Sequence, residues 1–292
     1  MNPVILFFAS GESLYPGVAL LLVSVVTSAY SLPTLLIWLR RTSMWVGLAF
    51  VIMASLPLPW IFDALFGLVF LAFLISDRRP KQTDGWRRFH IASSVLLVLV
   101  LLIIPITEFA HRRLPAIQGE TSDHLVVIGD SISAGLGTSV RAWPEVMQEM
   151  TGAKTTNLSR PGATMADGLS LANRVTEQDH LVLIELGGND LISGERADDF
   201  ERSLAEVLAK LASPKRTIVM FELPLLPQWT AYGRVQRRLA NRYGVWLIPK
   251  RFLTAVISGK DATSDGLHLT DLGVRRMASL VAHVFSPVLK TR

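Results

Sequence analysis

The sequence predicts an all-α transmembrane region followed by an α/β domain with a parallel sheet covered by helices on both faces. Two observations predict this architecture. Hydrophobic residues make up 50% of the 292-residue chain and are concentrated before about residue 110. Beyond residue 123, short apolar runs alternate with amphipathic stretches. The predicted division is 1–113 for the transmembrane region, 114–123 for a polar linker and 124–292 for the α/β domain.

Three long apolar segments lie in the first part. A helix needs about 20 apolar residues to cross a bilayer, and the segments 17–38 and 91–110 meet this length. The segment 44–76 between them is too long for one span and short for two. Proline disfavours helix, so we expect a helical hairpin that turns near Pro57, giving four spans. One kinked span, giving three in all, is the alternative.

Basic residues predict the orientation of these spans. They follow the first predicted span, at Arg40 and Arg41, and recur between the third and fourth, whereas the 57–60 turn carries none. By the positive-inside rule, both basic loops are cytoplasmic and everything after residue 110 is extracytoplasmic. We therefore expect a multi-pass protein of the bacterial cytoplasmic (inner) membrane. Its net charge of +5 reflects this contact with the lipid bilayer and not nucleic-acid binding.

The second part alternates strand and helix. Such alternation implies crossover connections and a parallel sheet with helices on both faces. Sites in such sheets gather at the carboxyl ends of the strands. The predicted strands are 124–130, 154–159, 180–187, 216–223 and 244–249, and the predicted helices are 141–151, 165–175, 198–212, 230–243 and 270–286.

Four polar segments fall at this edge of the sheet. Three follow predicted strands and the fourth precedes the last helix. They are 129–131, 157–162, 187–190 and 265–268. Acyl transfer needs a nucleophile, a base that takes its proton, a group that orients the base, and donors for the oxyanion.

The four segments contain a candidate for each of these roles. Ser131 is the candidate nucleophile and His268 the candidate base. Asp265, three residues before His268, reaches Nδ1 of the imidazole if the loop makes one turn. The candidate oxyanion donors are the backbone N–H groups of Ser131 and Gly162 and the side-chain amide of Asn189. Gly162 suits this role because a missing Cβ lets the backbone approach a ligand closely.

The composition excludes other chemistry. The chain contains no cysteine. Disulfides, thiol catalysis and cysteine metal sites are therefore excluded.

The segments GDSIS, NLSRPGAT, ELGGND and DGLHLT, in this order, resemble the four sequence blocks of the SGNH (GDSL-type) hydrolase family. The likeness is strongest to its bacterial periplasmic thioesterase/lysophospholipase branch. It covers roughly residues 123–288 and does not extend to the membrane half. The resemblance implies a three-layer, flavodoxin-like α/β/α fold with a five-stranded parallel sheet. It implies the same roles for the five residues named above, with no cofactor and no metal.

We therefore expect a membrane-anchored serine esterase of lysophospholipase, thioesterase or arylesterase type. Arg160 is a candidate contact for an anionic group of the substrate, such as a phosphate; simple exposure to solvent is the alternative. An O-acetyl esterase or acetyltransferase acting on envelope polysaccharide remains open, as does an inactive binding or assembly module of a membrane complex. The spare spans suggest a membrane-protein partner or a path for lipid entry.

Overall fold

The computed structural model describes residues 2–30, 33–78, 83–136 and 141–290. The chain forms two compact units. The helical unit comprises residues 11–112, and the α/β unit comprises residues 1–10 and 113–292.

Five helices precede the first strand. They are α1 (Pro3–Ala9), α2 (Leu14–Thr27), α3 (Thr34–Met53), α4 (Trp60–Arg78) and α5 (Asp84–Phe109). Three of them, α3, α4 and α5, are long and apolar enough to cross a membrane. The count rises to four if α1 and α2 are taken together as one broken span.

The break predicted near Pro57 is present, because α3 ends at Met53 and α4 begins at Trp60. The predicted continuous span 17–38 is wrong. Pro33 occupies the N-cap position of α3, and proline disfavours helix in the residue before it. The helix therefore restarts at this point.

Two arginines predicted to lie in a loop are consequently helical. Arg40 and Arg41 fall in the second turn of α3. The Arg40 guanidinium pairs with both carboxylate oxygens of Asp77, near the end of α4, at 2.9 and 3.1 Å. The start of α3 and the end of α4 therefore lie at the same end of the helical unit.

Helices α2 and α3 pack closely through two glycines. A Cβ built on Gly47 would lie 2.9 Å from the carbonyl oxygen of Gly17. A Cβ on Gly17 would lie 2.9 Å from the Cβ of Phe50. Small residues allow such close approach of helix backbones in membrane proteins.

The α/β unit contains the predicted five-stranded parallel sheet, with the order β2-β1-β3-β4-β5. Its strands are β1 (His124–Gly129), β2 (Lys154–Asn157), β3 (Leu181–Glu185), β4 (Thr217–Phe221) and β5 (Trp246–Ile248). Its helices beyond α1 are α6 (Ser131–Ala134), α7 (Trp143–Thr151), α8 (Met165–Ala172), α9 (Gly188–Ser193), α10 (Ala197–Leu211), α11 (Thr230–Tyr243), α12 (Lys250–Ser258) and α13 (Asp271–Phe285). The sequence prediction lacks α1, α6, α9 and α12.

Alternate residues of the strands face opposite layers of helices. Val127 and Leu183 pack in one apolar cluster with residues of α7, α12 and α13. Val126 and Ile184 pack in the other with residues of α8, α10 and α11. Successive side chains of a strand point to opposite faces of the sheet. The predicted three-layer α/β/α fold is therefore confirmed.

Two segments outside the predicted range 124–292 belong to this unit. Leu6 of α1 is 2% exposed and lies in the same apolar cluster as Ile117, which comes from the predicted linker. The Leu225 N–H donates to the carbonyl of Ala9 at 3.3 Å. The α/β unit therefore includes residues 1–10 and 113–123 in addition to the predicted range 124–292. A seven-residue helix is only about 10 Å long, which is too short to cross a bilayer. Its apolar residue Leu6 packs in the α/β core instead.

Candidate active site

The direction of strand order changes at β1, which lies between β2 and β3. Such a switch point opens a crevice at the carboxyl ends of the strands. Helix α6 follows β1 directly and begins with Ser131, and α9 follows β3 and carries Asn189. Asp130 caps α6, its Oδ1 accepting from the Ile132 N–H at 2.9 Å. The cap fixes the backbone at Ser131, which is 6% exposed.

Three predicted site residues form a hydrogen-bonded chain. Nε2 of His268 lies 3.2 Å from Oγ of Ser131. Nδ1 of the same imidazole lies 2.6 Å from Oδ2 of Asp265. A neutral imidazole with its proton on Nδ1 donates to the carboxylate and accepts the serine hydroxyl at Nε2. The arrangement suits proton transfer from Ser131 to His268.

The Asp265 carboxylate also organises the loop that carries His268. Its Oδ1 accepts from the N–H of Leu267 at 2.9 Å and from the N–H of His268 at 2.8 Å. The His268 N–H and the imidazole, followed by the Leu267 N–H, hold the pKa of Asp265 well below its usual range. The carboxylate is therefore ionised at neutral pH, as an acceptor for Nδ1–H must be.

The candidate oxyanion donors lie on three adjoining loops. Gly162 has φ +76°, a conformation that favours glycine, and a Cβ there would meet only open space. The Asn189 amide donates to the Ala163 carbonyl at 2.9 Å and to Oδ2 of Asp130 at 3.3 Å. Asn189 thus contacts Ala163, which follows Gly162 in the chain, and Asp130, which precedes Ser131.

The side chain of Arg160 is exposed and forms an ion pair. Its guanidinium pairs with the Asp167 carboxylate and is 54% exposed. Asp167 and Thr164 form a reciprocal capping box at the start of α8. Arg160 therefore pairs with a residue of the α8 capping box, and its contact with a substrate anion stays a prediction.

A buried group that the sequence prediction missed lies behind α6. Glu185, at the end of β3, is 5% exposed, and Asp130 is 4% exposed. The Ser133 hydroxyl donates to Oε2 of Glu185 at 2.8 Å. The indole N–H of Trp143 donates to Oγ of Ser133 at 3.0 Å. The signal in the sequence is an acid that ends an otherwise apolar strand, since a buried acid needs partners.

The two buried carboxyl groups interact with each other. Burial raises the pKa of Asp130. Burial, and then the charge of Asp130, raises the pKa of Glu185 well above its usual range. The backbone N–H of Asp130 donates to the backbone carbonyl of Glu185 at 3.2 Å, so the two residues are neighbours. Both shifts have the same direction, because burial and a neighbouring negative charge disfavour the ionised form of a carboxyl group.

A second carboxyl pair follows Asn189. Both carboxylate oxygens of Asp190 accept from the Met165 N–H at 3.0 Å, which ties the loop after β3 to the start of α8. Partial burial and then the hydrogen bond to Asp190 raise the pKa of Glu195 to about 7. The Tyr232 hydroxyl donates to the backbone carbonyl of Glu195. The Glu195 carboxyl group, shortly after α9, is therefore a group whose charge changes near neutral pH.

These loops fall within a stretch that matches a known family. Residues 127–276 match the GDSL-like Lipase/Acylhydrolase family. The chain belongs to this family. Membership makes the protein a serine hydrolase that acts on acyl esters, and it accounts for the resemblance of the four sequence blocks.

Individual relatives cover the α/β unit. Thioesterase 1/protease 1/lysophospholipase L1 of Escherichia coli strain K12 is 26% identical over 193 residues, covering 60% of this chain and 93% of the relative. An arylesterase of Vibrio mimicus is 30% identical over 166 residues, covering 51% of this chain and 81% of the relative. The crystal structure of TesA, 28% identical, covers 57% of this chain and 99% of that chain with a TM-score of 0.51.

Proposed function

We propose that the protein is a membrane-anchored serine esterase in which Ser131, His268 and Asp265 form the catalytic triad. The observation that carries the proposal is the hydrogen-bonded chain, with 3.2 Å between Ser131 and His268 and 2.6 Å between His268 and Asp265. Hydrogen bonds in this order match the roles of nucleophile, general base and orienting carboxylate.

The reaction proceeds in two halves. His268 Nε2 takes the hydroxyl proton of Ser131 as Oγ attacks the ester carbonyl carbon. The imidazolium then gives that proton to the leaving alcohol as the ester C–O bond breaks, which leaves an acyl-serine. Water repeats the sequence, releasing the carboxylic acid and restoring the serine hydroxyl. Asp265 stabilises the imidazolium in both halves.

The tetrahedral intermediates need donors for their oxyanion. The backbone N–H groups of Ser131 and Gly162 and the amide of Asn189 take this role in the proposal. The Ala163 carbonyl, 2.9 Å from Nδ2, orients the Asn189 amide, and the longer 3.3 Å contact to Asp130 leaves the second hydrogen to be shared with the oxyanion. One such donor is worth about 10²–10³ in rate.

Exposed apolar side chains favour a lipid acyl group as substrate. Leu136, just beyond α6, is 48% exposed, and Ile192, on α9, is 71% exposed. Leu136 follows Ser131 closely in the chain, and Ile192 follows Asn189. Ser131 and Asn189 are both proposed to contact the reacting carbonyl. A relative named as a lysophospholipase and thioesterase is consistent with such a substrate. We therefore propose a lysophospholipid ester as the substrate class.

The path of the chain favours four membrane crossings. It leaves the α/β unit after residue 10 and returns at residue 113, so it must cross the bilayer an even number of times. Helices α3, α4 and α5 supply three crossings, and α2 supplies the fourth. With 14 residues, α2 is about 21 Å long, and local thinning of the bilayer accommodates a span of that length.

The charges then orient the protein. Arg40, Arg41 and Arg78 lie near the paired ends of α3 and α4, so this end faces the cytoplasm by the positive-inside rule. The α/β unit faces the opposite side of the inner membrane.

A fluorophosphonate probe tests the nucleophile. Full-length protein in detergent is expected to be labelled on Ser131, and Ser131→Ala to remain unlabelled. Ser170→Ala, which removes an exposed serine on α8, serves as the matched control and should label like wild type. Absence of labelling in wild type contradicts the proposal.

Product analysis tests the substrate. Release of fatty acid from lysophosphatidylcholine by wild type, and not by Ser131→Ala, is the expected result. Release of acetate from O-acetylated envelope polysaccharide, with no fatty acid from the lysolipid, would replace the lipid substrate with the polysaccharide alternative.

Single-cysteine variants test the topology, because the natural chain has no cysteine and hence no background. A membrane-impermeant maleimide is expected to label Val4→Cys and Lys290→Cys in intact cells. Thr83→Cys, between α4 and α5, should react only after lysis. Labelling of Val4→Cys and Lys290→Cys from opposite sides would require an odd number of crossings and exclude the proposed topology.

A further inference from the structure

A cavity lies between the paired ends of α3 and α4, and the proposed reaction makes no use of it. Its volume is about 350 Å³, within the range of about 300–1,000 Å³ that is typical of small-molecule sites. The cavity lies entirely in the helical unit. Two basic, one acidic and three apolar or aromatic residues line it: Arg41, Met44, Trp45, Leu74, Asp77 and Arg78.

The charges around this cavity do not cancel. The Asp77 carboxylate is already neutralised, because both of its oxygens accept from the Arg40 guanidinium, at 2.9 and 3.1 Å. Arg41 and Arg78 are exposed. In the part of the chain that the structure describes, the side chains of Arg41 and Arg78 form no hydrogen bond or ion pair. The cavity therefore has two uncompensated positive charges, which attract an anion.

The charged and apolar parts of the cavity lie one helical turn apart. Trp45 follows Arg41 by four residues on α3, and Arg78 follows Leu74 by four residues on α4. Residues four apart lie on the same face of a helix, about 6 Å apart along its axis. Because the start of α3 lies beside the end of α4, both arginines are at one end of the cavity. A molecule with an anionic end and an apolar body matches this order.

The indole ring of Trp45 is held in place and remains accessible. It packs edge-to-face against Phe70 of α4, with 6.3 Å between the ring centroids and 74° between the ring planes, yet Trp45 is 48% exposed. Tryptophan favours the interface between membrane and water, where its N–H reaches polar groups. Beyond the cavity, exposed apolar side chains continue along both helices, at Ile52 of α3 and Leu71 of α4. These side chains provide a surface for an acyl chain.

We propose that this cavity binds the headgroup of an anionic phospholipid, with Arg41 and Arg78 contacting its phosphate and Trp45 contacting its glycerol. In the topology proposed above, this end of the helical unit faces the cytoplasmic leaflet, so the inference rests on the proposed membrane insertion. Basic pockets between membrane helices on this side bind such headgroups. A zwitterionic headgroup is disfavoured, because its ammonium group would add positive charge beside the two arginines.

Lipid binding to full-length protein in neutral detergent, measured by native mass spectrometry, tests this site. Every sample carries Ser131→Ala, so that the probe lipid is not hydrolysed at the proposed nucleophile. Dioctanoyl phosphatidylglycerol is expected to bind more tightly than dioctanoyl phosphatidylcholine. Adding Arg41→Gln and Arg78→Gln together should weaken phosphatidylglycerol binding about 10-fold or more, since each basic residue near an anionic headgroup contributes about fivefold.

The matched control is Arg87→Gln with Arg88→Gln, which removes the same charge from two exposed residues near the start of α5. This control should bind phosphatidylglycerol like the Ser131→Ala parent. Equal losses in the two double variants would indicate attraction by general surface charge and overturn the site. Arg41→Lys with Arg78→Lys keeps both charges and should retain most of the affinity. A loss as large as that of the glutamine pair contradicts the role of charge.

Two comparisons in the Ser131→Ala parent identify the occupant without any arginine variant. Excess inorganic phosphate should displace phosphatidylglycerol no more than sodium chloride of the same ionic strength does, because phosphate lacks the apolar body that meets Trp45 and Leu74. Specific displacement would assign the cavity to a free phosphate and overturn the lipid proposal. Equal affinities for phosphatidylglycerol and phosphatidylcholine overturn it as well.

Carbonate extraction and fluorophosphonate labelling separate this inference from the proposed function. If alkaline carbonate releases the wild-type protein from cell membranes, or if Ser131 is not labelled, the proposed membrane-anchored esterase fails. If the protein stays in the membrane and is labelled, but does not prefer phosphatidylglycerol, the esterase stands and the headgroup site is refuted.

Discussion

Nε2 of His268 lies 3.2 Å from Oγ of Ser131, although 137 residues separate them in the chain. Each partner is fixed by its own local structure. Ser131 begins a helix capped by Asp130, and His268 lies in a turn organised by Asp265. The contact therefore depends on local hydrogen bonds that can be altered one at a time without removing either reacting side chain.

Asp265→Asn should reduce kcat by about 10⁴-fold while the protein stays folded. An amide at this position favours the wrong imidazole tautomer, an effect of this order in serine hydrolases. Asp261→Asn, at an exposed acid in the same loop, is the matched control and should keep wild-type activity. Ester hydrolysis measured beside circular dichroism gives the result. Equal activities of the two variants would argue against a triad.

The thermal stability of the α/β unit should fall as pH rises toward 8. The folded pKa of Glu195, about 7, lies above the value in an unfolded chain, about 4.3. The stabilising contribution of its protonated form is therefore complete below about pH 4.3 and is lost as pH rises through about 7. Glu195→Gln keeps a neutral donor beside Asp190 at every pH.

Calorimetry of full-length protein in detergent checks this expectation. Glu195→Gln should have a higher Tm than wild type at about pH 8, and the difference should narrow toward about pH 5. Glu206→Gln, an exposed position on α10, should follow wild type throughout. An offset between Glu195→Gln and wild type that does not vary with pH would show that the carboxyl group does not titrate in this range.

Gly47→Leu should destabilise the helical unit. A Cβ there would lie 2.9 Å from the Gly17 carbonyl and 3.0 Å from the Cβ of Leu20, so α2 and α3 must separate. Overpacking of this kind costs about 1–3 kcal/mol. Gly67→Leu on α4 is the control, because a Cβ at that glycine would meet nothing within 4 Å.

The midpoint of thermal aggregation in detergent, measured by size-exclusion chromatography, compares the two glycine variants. Gly47→Leu should aggregate at a lower temperature than wild type, and Gly67→Leu should not. If both leave the midpoint unchanged, the close contact of α2 with α3 contributes nothing measurable to stability.

Arg160→Gln should change kcat/KM for a neutral p-nitrophenyl ester by less than about twofold, since an exposed ion pair contributes at most about 1 kcal/mol. Asp167→Ala removes the capping box of α8 and should cost about 1 kcal/mol of stability. Enzyme kinetics measure the effect of Arg160→Gln, and thermal melting measures the loss of stability in Asp167→Ala. A large rise in KM for a lysophospholipid, specific to Arg160→Gln, would support the substrate contact predicted from the sequence.

Much of the fold follows from local patterns. The apolar runs of β1, β3 and β4 are short and end in glycine or polar residues, so their type and order were predictable. Parallel strands bring their carboxyl ends together, which made the proximity of Ser131, Asn189 and His268 predictable without any contact information. Helix α12 follows β5 directly, with Pro249 as its N-cap residue, and the sequence analysis predicts no helix there.

The features that the sequence prediction missed depend on contacts between distant residues. Nothing near Leu6 indicates that it packs in the α/β core, and a seven-residue apolar helix resembles the start of a membrane segment. Arg160 meets Asp167 across a turn whose path the sequence does not determine. The position of Glu185 at the end of an apolar strand indicates that it is buried. Its neighbour Asp130 follows a different strand, β1, which is distant in the chain.

The seating of α1 in the α/β core has a consequence for biosynthesis. Residues 3–9 precede the helical unit in the chain, whereas α13, which contributes to the same apolar cluster, follows it. The α/β core therefore combines segments from both sides of the helical unit, and it can be completed only after residues 11–112 have been synthesised. A fragment that starts at residue 113 would lack Leu6 and leave the apolar residues that pack against it uncovered.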